Sequence, residues 1–271
     1  MPITIRLSLI YAVAPRGVSF DLAASGPLES VASVALEYGF EGIEFNIADP
    51  RRADVRRLYN ILGDYGLEVA AISTGLSALV YGYTLSDPSI DRRMKAVSLF
   101  ESYIGIAGEL WAGRVVVGLA RGRCAGDCQA AKERLMDSLR RLEPVCRDRG
   151  VILALEPINR YETDLINSYE EAAEIARELG YVRILYDTFH ATLEEGDPYR
   201  VIDRYGDLIG HVHFADTNRG PPGSGIIDWG IVVERLVKAG YRGFASVEAR
   251  HPGGFKEVAR ISSRTLIKLL S

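Results

Sequence analysis

Four positions in the second half of this 271-residue chain place a metal-ligating side chain at or near the end of a buried-looking apolar run. VILALE ends in Glu156, VRILYD ends in Asp187, HVHFAD carries His213, and SVEA carries Glu248. Burying three carboxylates together costs on the order of several kcal/mol each unless something positive neutralises them. No Lys or Arg lies within these run ends, so a divalent cation is the simplest neutraliser. Three oxygens and one nitrogen suit Mn²⁺ first, with Mg²⁺ or Co²⁺ as alternatives, and leave positions open for water or substrate. Zn²⁺ fits less well, because it prefers fewer ligands and more nitrogen or sulfur. A single strand-end carboxylate is more often a helix cap or a rim salt bridge than a ligand. Recurrence on consecutive run ends is what favours a shared site. His211 is assigned to packing on the outer face of its strand, and His251, in HPGG, to a loop.

The elements that must position these residues are legible in the hydropathy pattern. Short runs rich in Val and Ile lie at Ile3–Ile10, Gly42–Ile47, Glu68–Ser73, Arg114–Leu119, Val151–Leu155, Val182–Tyr186, Ile209–Phe214 and Phe244–Val247. Several are apolar on successive residues, as parallel strands covered on both faces are. Amphipathic stretches separate them. Ser168 and Glu171 form a capping box, and Asp87-Pro88 predicts a helix start with Pro at the first helical position. Roughly eight strand–helix units in about 250 residues is the arithmetic of a (β/α)₈ TIM barrel, read here as one domain over residues 1–271. A doubly wound sheet would carry a Gly-rich turn after its first strand, and LIYAVAPRGVSF contains none. In a barrel the four polar run ends converge on the C-terminal face.

Composition excludes other classes. Thirty-two Lys and Arg against 36 Asp and Glu give a net charge of −4, and the pI near 5.7 argues against a nucleic-acid partner. No apolar run reaches the roughly 18 residues of a membrane span. The N-terminal apolar stretch is broken by Arg6, which suits a strand better than a signal peptide, so a cytoplasmic protein is expected. Cys124, Cys128 and Cys146 cannot form a disulfide framework. They are read as incidental thiols, with a Cys124–Cys128 disulfide as the minority alternative.

At these residues the sequence resembles the xylose-isomerase-like sugar isomerase and epimerase superfamily, and within it the ketose 3-epimerases of the D-tagatose and D-psicose type. LEPINRYET (Leu155–Thr163) is similar to the family's fifth-strand motif, YDTFH (Tyr186–His190) to its sixth, and His211–Trp229 to its seventh with the following loop. SVEA supplies the eighth. The resemblance implies Glu156, Asp187, His213 and Glu248 as metal ligands, with Glu156 and Glu248 also catalytic. It implies Glu162, His190 and Arg219 as substrate-binding residues. GFEGIEF (Gly39–Phe45) resembles the second strand, where Glu44 either orients the site or closes a rim salt bridge, the structural role being favoured. Tyr11, Ser73 and Trp111 are the types expected to grip the far end of a sugar, although Trp111 reads better as core. Arg121 and Arg123 are the candidates for binding a phosphate.

The implied reaction inverts C3 of a ketose through an enediolate, one carboxylate removing a proton and the opposed one returning it. Arg219 and His190 would hold the oxygen that gains charge. Arg219 sits in a Gly/Pro-rich loop, where little packing should depend on it. The alternatives are an aldose–ketose or hydroxypyruvate-type isomerase and an inosose-type dehydratase. An endonuclease IV-like nuclease would need histidines at AISTG and VVVGLARG, which have none. A non-catalytic sugar-binding barrel would tolerate loss of an acid/base residue, and none is lost. The partner is a small sugar, with a homo-oligomer left open.

Overall fold

Parallel strands buried on both faces need helices outside and side chains inside, and the chain supplies both in strict alternation. The computed structural model describes residues 5–270. Its strands are β1 (Arg6–Val13), β2 (Gly42–Ile47), β3 (Glu68–Ser73), β4 (Arg114–Val117), β5 (Ile152–Leu155), β6 (Val182–Asp187), β7 (Ile209–Phe214) and β8 (Phe244–Val247). They close in sequence order into a parallel barrel, with β1 pairing β2 on one side and β8 on the other. The helices are α1 (Leu28–Glu37), α2 (Val55–Asp64), α3 (Gly75–Tyr81), α4 (Ile90–Glu109), α5 (Cys128–Arg149), α6 (Tyr169–Glu178), α7 (Thr188–Glu194), α8 (Pro198–Tyr205), α9 (Trp229–Lys238) and α10 (Phe255–Leu270). This is the (β/α)₈ barrel expected from the sequence.

Among the described residues, three apolar clusters hold it together, one of them formed by Ile10, Ala12, Ala23, Ala48 and Leu76 near the start of the chain. The main apolar core lies between the strands and the helices and includes Val31, Phe45, Tyr103, Leu139, Tyr169 and Phe214. Ala71, Val116, Ala154 and Leu185 form a smaller cluster on the inner face of β3 to β6. These inner side chains are mostly small because the same layer also holds Ser8, Glu44, His211 and Ser246, all at 0% exposure.

Several local expectations are corrected. β1 begins at Arg6 and runs on to Val13, and Ile3 and Thr4 lie outside the described residues. The arginine that interrupts the apolar run starts the strand, its guanidinium stacked on Phe244 at 4.0 Å and paired with Glu68 at 2.6 Å. α4 starts at Ile90 with Ser89 as its N-cap, two residues later than Asp87-Pro88 suggests. Asp87 accepts from the Ser89 amide at 3.0 Å and from Arg92 Nε at 2.8 Å, making a turn before the helix. Trp111 is 85% exposed, because the chain turns out of α4 through a left-handed backbone there, φ 56°. Cys124 and Cys128 are joined as a disulfide, while Cys146 stays a buried free thiol. The capping box at Ser168 and Glu171 is present at the start of α6.

Candidate active site

The four sequence-predicted ligands meet at the C-terminal mouth of the barrel. One ligand atom each from Glu156, Asp187, His213 and Glu248 lies within 4.8 Å of the other three, and all four residues are buried. Glu156 Oε1 and His213 Nδ1 are buried without a hydrogen-bond partner, 3.6 Å apart. His213 Nδ1 is also 3.6 Å from Glu248 Oε2. Buried ligand atoms that face one another and engage no other group fit a cation. Asp187 is held in place by its neighbours in sequence: its Oδ1 caps α7, accepting from the Phe189 and His190 amides at 2.8 and 2.9 Å. Glu156 fits because residue 118 is glycine; a Cβ there would stand 2.7 Å from Glu156 Oε2.

Arg219 is not a loosely held loop residue. Its backbone is left-handed, φ 58°, and its side chain is buried, bridging Asp187 Oδ2 at 2.8 Å and Glu248 Oε2. Asp216 builds this turn. It accepts from the amides of Thr217, Gly223 and Ile227 and from Trp229 Nε1 at 2.8–3.2 Å, and its carbonyl takes the Arg219 amide at 2.8 Å. Arg219 therefore supplies a positive charge that the strand ends lack. Three carboxylates against one guanidinium leave two negative charges, the complement of a divalent cation. Burial raises the Asp187 carboxyl, but Arg219, His190 and His213 outweigh it and bring it down to about 2. Burial likewise opposes ionisation of Glu248, and Arg219 and His213 overcome it, so its carboxyl is lowered. For His213 burial lowers the imidazole, while Glu44 and Glu248 raise it well above its ordinary value. A cation binding at Nδ1 therefore displaces a proton.

His190 and Glu162 are joined through Asn159, a residue with no role in the sequence motifs above. Asn159 Nδ2 lies 2.8 Å from His190 Nδ1 and donates to Glu162 Oε1 at 2.9 Å. An amide donor at Nδ1 leaves the His190 proton on Nε2, which is 3.8 Å from Glu156 Oε1. Glu44 and His211 need larger corrections. Side chains two apart on a strand share a face, so His211 points inward with His213, and its Nε2 lies 2.7 Å from Glu44 Oε2. Glu44 is a centre of the barrel interior, not a rim residue.

Comparison with known proteins agrees with this architecture. A family described as xylose isomerase-like TIM barrel matches residues 32–269. The chain belongs to that family. The chain is 28% identical over 227 residues to 3-dehydro-D-guloside 4-epimerase of Escherichia coli strain K12, covering 79% of this chain and 84% of that one. It is 29% identical over 242 residues to L-ribulose 3-epimerase of Methylomonas sp. strain DH-1, covering 85% and 81%. A solved structure of L-ribulose 3-epimerase superimposes with a TM-score of 0.82 at 26% identity, covering 98% of this chain and 94% of that one.

The xylose isomerase-like barrel encloses a cavity of about 80 Å³ above the ligand cluster, which Glu162, His190 and Arg219 also line. Its other wall comes from the first half of the chain: Phe20, Leu22, Asn46, Ser73, Val116 and Leu119. Of the three far-end candidates only Ser73 is there. Tyr11 instead donates to the Gly26 carbonyl at 2.8 Å, and Trp111 lies on the surface just before β4. Neither phosphate candidate faces the cavity. Arg121 is wholly buried, donating to the carbonyls of Gly118, Leu165 and Ile166 at 3.0, 2.6 and 3.1 Å. Burial lowers it to about 10, so it remains charged at neutral pH. Arg123 donates to the Glu162 carbonyl at 2.5 Å.

Proposed function

We propose that this protein is a divalent-metal-dependent sugar epimerase that inverts C3 of a free ketose by two-carboxylate proton transfer. The observation that carries this is that Glu156 and Glu248 each set an oxygen 3.6 Å from His213 Nδ1 and line the same cavity. Glu156, Asp187, His213 and Glu248 would hold a divalent cation, with Mn²⁺ the first choice, which would supply Lewis-acid polarisation beside the reacting carbon. Glu156 or Glu248 removes the proton beside the ketone, and the other returns one to the opposite face, according to the epimer bound. The Arg219 guanidinium and His190 Nε2–H stabilise the oxygen that gains negative charge. Among the described residues, Arg219 is the only Arg or Lys lining the cavity, and two carboxylates already engage it. That favours an unphosphorylated sugar. The cytoplasm remains the proposed location.

The E. coli relative named as a 4-epimerase of a 3-dehydro sugar supports a second reading, since two opposed bases can invert either carbon next to a ketone. Assay of free ketoses and 3-keto sugars with Mn²⁺ in D₂O tests both. Ketose 3-epimerisation places about one solvent deuteron at C3 per turnover, and 4-epimerisation of a 3-keto sugar places it at C4. Label only at C1 of an aldose–ketose pair would make the protein an isomerase, and conversion without label would overturn the two-base mechanism.

A further inference from the structure

Beneath the four candidate ligands, the barrel interior holds buried polar groups that take no part in the proposed proton transfers. Glu44 lies at their centre. Its Oε2 is 2.7 Å from His211 Nε2 and accepts from Ser246 Oγ at 2.5 Å. Its Oε1 accepts from Ser73 Oγ and lies 3.1 Å from His213 Nε2. Ser246 Oγ is in turn 2.7 Å from Ser8 Oγ.

The donor inventory fixes every proton in this chain. An ionised carboxylate only accepts, at about four lone-pair sites. Both hydroxyls and both imidazole Nε2 atoms must therefore donate to Glu44. Ser246 has given its proton to Glu44, so Ser8 donates to Ser246. His211 and His213 each carry a proton on Nε2. For His213 the nitrogen free to offer a lone pair is then Nδ1, the one beside Glu156 and Glu248.

We infer that Glu44, held by His211, Ser73 and Ser246, is the positioning residue that makes His213 an Nδ1 metal ligand. This rests on the metal-dependent reading above. A fully buried carboxylate is hard to explain by packing, because apolar residues of similar volume stabilise an interior at least as well. Ligating histidines generally give their second N–H to such an acceptor, and loss of that acceptor weakens metal binding by about 10- to 100-fold. Glu44 touches neither the cavity nor the four ligand atoms, and it acts only through His213 Nε2.

Titration of the metal-free protein with Mn²⁺, followed by the electron paramagnetic resonance of the free ion, tests the assignment without any substrate. Glu44→Gln keeps the volume but replaces one acceptor by a donor; its Mn²⁺ affinity is expected to fall about 10- to 100-fold. Ser246→Ala, which removes one of four donors, should lower it by a smaller factor. Unchanged affinity in folded Glu44→Gln, with only a lower melting temperature, would reduce Glu44 to a structural group and overturn the inference. Should Glu44→Gln fail to fold, the Co²⁺-loaded wild-type protein gives the answer. Its proton spectrum should show one hyperfine-shifted, exchangeable imidazole proton assignable to His213 Nε2–H, and assignment to Nδ1–H refutes the inference. Wild-type protein that binds no Mn²⁺ overturns the metal reading itself, a failure distinct from equal binding by wild type and variant.

Discussion

The two halves of the barrel meet at one cavity and furnish it in opposite ways. β5 to β8 and the loops after them bring Glu156, Asp187, His213, Glu248, His190 and Arg219, all charged or titratable, each within 4 Å of another of the set. β1 to β4 and their loops bring Phe20, Leu22, Asn46, Ser73, Val116 and Leu119, neutral and largely apolar. Under the proposed reaction the charged half serves the carbons at which protons move. The neutral wall shapes the rest of the substrate and keeps water away, while Glu44 of the same half acts from beneath on His213.

Breaking the charged half should have the largest consequence. Glu156→Gln and Glu248→Gln are each expected to lower kcat by at least about 10²- to 10⁴-fold at saturating Mn²⁺; retention of near wild-type turnover by either would end the two-base assignment. Arg219→Ala follows. Its kcat should fall on the order of 10²-fold. Contrary to what a Gly/Pro-rich loop suggests, denaturant unfolding of the metal-free protein should also show a loss of about 3 kcal/mol or more, because Asp187 loses a buried partner. An unaltered unfolding midpoint would return Arg219 to the status of a free loop residue.

The neutral half should respond more mildly. Gly118→Ala would force the Glu156 carboxylate from its seat, and a displacement of that kind costs roughly 10- to 100-fold in turnover. Phe20→Ala should raise KM by about tenfold, for loss of roughly 1.5 kcal/mol of apolar contact, and leave kcat within about twofold. If Phe20→Ala instead matched Arg219→Ala in kcat, the division of labour between the halves would be wrong. The smallest effect belongs to the disulfide. It closes only a short loop before α5, so Cys124→Ser with Cys128→Ser should cost about 2 kcal/mol at most in a chemical melt, with kcat/KM unchanged.

The same contrast governs what is legible in the sequence. Packing alone seldom places a carboxylate or imidazole at the end of a buried apolar run, since the desolvation cost must be met by a partner. All four candidate ligands could therefore be named from their positions, and they are found together. β2, β3, β7 and β8 begin and end where the hydropathy pattern does, because burial on both faces leaves each of them bounded by polar or turn residues. The wall formed by Asn46, Ser73 and Val116 was illegible, because such residues occur in every barrel core and only closure of the sheet tells which ones face a cavity. Asn159 was hidden for a similar reason: its role is to set the His190 tautomer, a contact made between residues far apart along the chain. His211 was legible and misassigned, since a period of two puts it beside His213. Arg219 showed its identity but not its burial, which depends on the Asp216 turn folding back beneath it.

Arg121 has a consequence for how the substrate loops can change over time. Its three hydrogen bonds run to main-chain carbonyls, of Gly118 after β4 and of Leu165 and Ile166 after β5. A carbonyl is present whatever side chain a position bears. The guanidinium therefore ties the two loops to each other without reading their sequence. Residues along both segments other than those the site itself uses, such as Gly118, Asn159 and Glu162, can be exchanged one at a time, and the cavity wall they form can drift toward a new sugar while its framework keeps the same register against Glu156.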